Sequence, residues 1–112
     1  MARTTFSGPV ASTNGFIAGT GNTVTAVLTA TSTIDFPSIS ANTTSDSSGI
    51  TVTGASVGDA VMVGAPAAIE SGLVVTAYVS AANTVKVRAA NVTASPINPA
   101  SGTFRVVVVK VA

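Results

Sequence analysis

Over residues 23–31 the chain alternates with period two. Val24, Ala26, Leu28 and Ala30 fall on one side of an extended segment, and Thr25, Val27, Thr29 and Thr31 on the other. Successive side chains of a strand point to opposite faces, so this spacing fits a half-buried strand and no helix. Shorter runs of the same kind recur at 50–53, 57–63, 73–80 and 84–89. The residue types agree: the 112 residues include 18 Val and 2 Leu, while Leu, Glu and Lys together number five and Gln is absent. Val and Thr are stiff at χ1 and fit a pleated surface better than a helical turn.

Turn chemistry divides the runs. Pro37 interrupts Ile34, Phe36 and Ile39 and marks an edge position or a bend. Residues 40–49 are a polar loop, 54–58 a turn, and 66–72 either a loop or one helical turn with Pro66 at its start and Gly72 at its end. The clearest hairpin joins 73–80 to 84–89. In it Leu73, Val75, Ala77 and Val79 share a face with Val85, Val87 and Ala89. Asn83 lies in its connection, where Asn tolerates the left-handed backbone a tight turn needs. Pro96 and Pro99 punctuate a loop over 93–102.

The last strand, 104–111, is apolar on both sides: Phe104, Val106 and Val108 on one, Val107, Val109 and Val111 on the other. A strand of that kind is normally covered on both faces. Bare, its four consecutive Val would be an aggregation hazard, and Arg105 and Lys110 flank them as gatekeepers. About seven short strands without an internal repeat predict a single antiparallel β-sandwich, or a small barrel, over residues 23–112.

Residues 1–22 lack alternation and hold Gly8, Gly15, Gly19, Gly21 and Pro9, which predicts an extended N-terminal arm. Phe6 and Phe16 are two of only four Phe, and a solvated tail gains nothing from them.

The chemistry of catalysis is missing. There is no His, and the four acids Asp35, Asp46, Asp59 and Glu70 stand 11–13 residues apart at predicted loops or strand ends. General acid–base work uses His or paired carboxylates. The expectation is a non-enzyme with no catalytic residues, no cofactor and no metal site. Without His or Cys zinc has no nitrogen or sulfur ligand, and the residues after Asp46 lack the spacing of a calcium loop. Gly19-Thr20-Gly21-Asn22 has no Lys after it and no strand–loop–helix setting for a phosphate. Nine charged residues and a net charge of +1 form no basic patch, so neither a nucleic acid nor a membrane is an expected partner. So little charge suits a surface that partners cover better than one left in water. Five aromatic residues, Tyr78 the only Tyr, give little platform for sugars or bases. No secretory signal and no apolar run long enough to span a membrane are evident, which predicts synthesis in a cytoplasm. Asn42-Thr43-Thr44 and Asn91-Val92-Thr93 fit the glycosylation pattern, as chance allows in a Thr-rich chain.

Val57-Gly58-Asp59-Ala60-Val61, Gly72-Leu73-Val74-Val75-Thr76-Ala77-Tyr78-Val79-Ser80, Ala82-Asn83-Thr84-Val85-Lys86-Val87-Arg88, Asn91-Val92-Thr93 and residues 99–106 resemble a stretch of short bacteriophage virion proteins. The resemblance covers about half the chain and leaves out residues 1–22. In overall size and arm the chain looks most like a capsid decoration, or cement, protein. The resemblance implies a β-sandwich on the virion surface that binds the major capsid (coat) protein, often as a trimer. A homo-oligomer, trimer favoured, is therefore expected. The residues themselves, and not the resemblance, predict an interface comprising Arg3, Phe6, Phe16, Ile17, Tyr78, Val107 and Val109. The alternative is a tail, baseplate or carbohydrate-recognition module using loops 40–49 and 93–102.

Overall fold

A computed structural model describes residues 3–112; Met1 and Ala2, the first residues of the expected arm, lie outside the described residues. Eight strands form: β1 (Phe16–Ile17), β2 (Thr23–Ile34), β3 (Thr44–Asp46), β4 (Ile50–Thr51), β5 (Ala60–Gly64), β6 (Leu73–Ala81), β7 (Thr84–Asn91) and β8 (Gly102–Val111). They make two antiparallel sheets and no closed barrel. The first has the order β1-β2-β8-β5; in the second β7 is central, with β6 on one edge and β3 and β4 in series on the other. Among the described residues there is no helix, as the β-branched composition predicts.

The alternation read from the sequence sets the faces. On β8, Phe104, Val106 and Val108 turn inward and are buried; on β7, Val85, Val87 and Ala89 do the same. The two sets meet in one core with Ile34, Phe36, Ile39, Ile50 and Val52. Phe36 and Phe104 pack edge to face, centroids 5.9 Å apart and planes at 86°, which suits their ring quadrupoles.

The β6–β7 hairpin keeps the expected pairing, with Val79 opposite Val85, Ala77 opposite Val87 and Val75 opposite Ala89. Asn83 occupies the left-handed region at φ 61°. Its side chain accepts a hydrogen bond from the Gly54 N–H at 2.8 Å, which ties the hairpin turn to the 52–55 turn.

Two local departures have physical reasons, and of the two readings of 66–72 the loop is the one that forms. The polar loop at 40–49 contains β3, a three-residue edge strand whose Thr, Ser and Asp carry no apolar signal. Between β3 and β4, Ser47 mends the ladder: its N–H donates to the Val87 carbonyl at 2.8 Å, and its hydroxyl accepts from the Val87 N–H at 3.0 Å. Residues 66–72 make two successive turns and no helix: Ile69 N–H donates to Pro66 O and Leu73 N–H to Glu70 O, both at 3.2 Å. Finally, Phe16 and Ile17 in the arm form β1, an exposed edge pairing only with Val24 and Thr23.

The 93–102 loop is pinned. Ile39 and Ile97 exchange backbone hydrogen bonds of 2.7 and 3.0 Å. Asn91, 1% exposed, donates to the Ile39 and Ser95 carbonyls and accepts from the Thr93 N–H and hydroxyl. Its amide is fully used, so this glycosylation pattern is structural.

Candidate interaction surface

The outer face of the β1-β2-β8-β5 sheet follows from the pairing register. Val27 faces Val109, which faces Ala60; Thr29 faces Val107, which faces Met62; Thr31 faces Arg105, which faces Gly64. Two of these three rows are apolar apart from Thr29. Val27 and Met62 are 57% and 58% exposed, and Val107 and Val109 between them are half-buried. The described chain thus leaves Val27 and Met62 open to solvent on this face. Arg105 flanks the patch in the exposed position expected of a gatekeeper. Lys110 does not: its ammonium reaches Asp59 at 2.6 Å and donates to the Ser56 hydroxyl at 3.2 Å. That contact, with the Ser56 N–H, holds the Asp59 carboxyl below the usual carboxylate range.

The arm adjoins the same sheet. Residues 3–14 form no strand and are exposed throughout, with Phe6 at 65% and Val10 at 64%. The molecule measures 57 × 30 × 24 Å with a radius of gyration of 17.4 Å. A compact domain of about 100 residues has about 13 Å, so the arm projects. At its base, Val10, Ser12 and Phe16 line a shallow groove with Val24, Thr25 and Val27.

The second sheet differs. On its outer face Asp46 stands directly opposite Arg88, and Tyr78, on β6, lies diagonal to Arg88. Arg88 donates through Nε to Asp46 Oδ1 at 2.7 Å and through a terminal nitrogen to Oδ2 at 3.0 Å. The Tyr78 hydroxyl donates to Oδ2 at 2.6 Å. The guanidinium carbon sits 4.7 Å from the Tyr78 ring centroid, a cation–π contact. The Arg88 and Tyr78 hydrogen bonds hold the Asp46 carboxyl down to about 2, and the bond to Asp46 pushes the Tyr78 phenol up.

Thus the expected interface residues fall in three places. Val107 and Val109 lie at the centre of the apolar outer face. Phe16 and Ile17 are at its β1 edge, and Arg3 and Phe6 are on the projecting arm. Tyr78 is on the opposite sheet, already engaged by Asp46 and Arg88. The surface also includes Val27 and Met62. Val27 was legible as the one apolar member of a Thr-bearing face, and Met62 as the residue between two inward-facing Val.

Two cavities lie elsewhere on the molecule. One, of about 40 Å³, lies between the turns at 66–73 and 99–101 and is far smaller than the several hundred Å³ of ligand pockets. The other, of about 200 Å³, is a polar cleft that both Asp35 and Asp46 line. Arg88 and Tyr78 occupy the Asp46 oxygens, and among the described residues no group of three potential metal ligands forms.

No known protein family, no curated protein and no solved structure proves detectably similar to this chain.

Proposed function

We propose that this protein is a non-enzymatic virion structural protein that binds the outer surface of a phage capsid and cements neighbouring coat subunits. The observation that carries the assembly half of this reading is the unsatisfied apolar surface. An arm with Phe6 and Val10 in the open projects from a sheet whose outer face exposes Val27 and Met62. Burying one such side chain is worth roughly 1.5–3 kcal/mol, and contacts repeated by symmetry add avidity to modest single affinities. The capsid half rests on the resemblance of residues 57–110 to short phage virion proteins.

The partner in this reading is the major capsid protein, and the site of action is the particle surface. Quantitative mass spectrometry of purified particles tests it through the copy ratio of this chain to the coat protein. A ratio near one, or a simple fraction such as a third, is expected of a cement protein. A handful of copies per particle would move the protein to the tail or baseplate. Absence from the particle, with specific glycan binding, would make it a recognition module.

A further inference from the structure

We propose that the arm of one copy of this chain adds, as an extra strand, to the free edge of β2 in a second copy. This goes beyond the capsid reading and does not depend on it.

β2 is the longest strand, at 12 residues, and pairs with β8 along nearly all its length. On its other side it pairs only at Thr23 and Val24, with β1. From Thr25 to Ile34 no strand lies along that edge, and every second residue points its N–H and C=O groups away from β8. Proteins protect such edges with Lys, Pro, bulges or a covering loop. Residues 25–34 contain no charge and no Pro. The one bulge lies at the start, between Val24 and Ala26.

The interior beside this edge is also open. Val106 and Val108 of β8 are fully buried, whereas Ala26, Leu28, Ala30 and Ser32, the inward side chains next to them on β2, are only half-buried. One further strand would both occupy the free backbone groups and close the side of the core.

The arm has the length and composition for that strand. Residues 3–14 span about 40 Å when extended, and residues 25–34 of the edge about 33 Å. Arg3 is the arm's one charge. Phe6 and Val10 fall on one side of an extended segment because they are four residues apart. Pro9 is tolerated at the rim of a sheet.

The chain's own arm borders only the first residues of this edge, where Val10 and Ser12 share a shallow groove with residues 24–27, and residues 3–14 form no ladder with it. β1 runs antiparallel to β2, so simple continuation would lay residues 14, 13 and 12 along it. Instead Gly15 adopts φ +84° and the Ser12 hydroxyl donates to the Gly15 carbonyl at 2.6 Å, which breaks the ladder at Gly15. The turn is specific to glycine, since a Cβ at Gly15 would collide with the Val24 carbonyl oxygen. An arm that leaves its own domain and completes the next makes an exchanged pair or a closed ring.

Sedimentation velocity and amide hydrogen exchange on the full chain test this, beside a variant lacking residues 1–14 and the double variant Phe6→Ser/Val10→Ser. The full chain is expected to self-associate, and alternate amides over 25–33 to gain protection as protein concentration rises. Both variants should associate about tenfold or more weakly, lose that protection and keep the unfolding midpoint that the full chain shows at concentrations where it is dissociated. The double variant serves if the truncation misfolds. A monomeric full chain with unprotected edge amides would overturn the proposal. So would association that survives both variants, or protection independent of concentration, which would mean that the arm folds back on its own edge. Particle binding measured in parallel separates this inference from the capsid reading, because either can fail alone.

Discussion

The two sheets bury matching inner faces and present opposite outer ones. Across β7 the outer side chains satisfy one another: Asp46, Arg88 and Tyr78 saturate their strongest donors and acceptors in a bidentate ion pair, a phenol bond and a cation–π stack. Across β8 the outer side chains include Val107 and Val109, flanked by Val27, Ala60 and Met62 and bordered by Arg105, and the apolar ones have nothing to satisfy except by losing water. A polar face closed on itself is at rest in solvent. An apolar face in a chain with only nine charged residues is stabilised by being covered. The arm and the free edge of β2 adjoin the second kind, which gathers most of the large exposed apolar side chains, though not Val57, Val74 and Val92, on one sheet and its arm.

The largest expected effect separates the two sides of β8 itself. Phe104→Ala removes a buried ring from the core and should destabilise the domain by about 3–5 kcal/mol in urea unfolding. Val107→Ser, three residues on and on the outer side, should cost the isolated domain under about 1 kcal/mol, since its side chain keeps water contact. Equal losses would mean that the outer face is already packed.

A smaller effect probes the polar face. Asp46 is held at about 2 against an ordinary 3.8, a folded value below the unfolded one. Its contribution is therefore complete above pH 3.8 and disappears as the pH falls through about 2. Arg88 is 46% exposed, so solvent screens the pair. Asp46→Asn should cost about 1 kcal/mol or less at neutral pH, and the difference from the parent should vanish in acid unfolding below the folded value. A pH-independent difference would indicate that charge is not what holds this cluster.

The smallest effect on stability should accompany a large effect on assembly. Met62→Lys places a charge on the exposed apolar row and should leave the unfolding midpoint of the isolated domain within about 0.5 kcal/mol of the parent. Light scattering should show reduced association, because burying that ammonium is costly. Lys86→Met, on the other sheet, should change neither.

Much of this was legible from alternation alone. β2, β6, β7 and β8, their inward faces and the left-handed Asn83 all follow from period-two patterning and turn chemistry. What escaped depends on contacts between distant segments. β3 is three polar residues, so only its pairing with β7 defines it. The role of Ser47 in the ladder depends on a hydroxyl meeting Val87, forty residues away. Tyr78 reads as an interface residue from its isolation as the one Tyr. The partners that satisfy it come from β3 and β7, a meeting that only the register creates. Lys110 reads as a gatekeeper beside a Val run and is instead drawn to Asp59 across 51 residues. Conversely, the exposed patch made by the Val27–Val109 and Val107–Met62 pairs was half visible, since a strand apolar on both sides demands cover on both.

The most direct test of the account is carbene footprinting of the full chain, free and in its assembled state, read residue by residue. Labelling of Phe6, Val27, Met62 and Val107 should fall on assembly while that of Tyr78 and Val74 stays constant. Loss of labelling at Tyr78 with Met62 still open to solvent would place the partner on the wrong sheet and contradict the account.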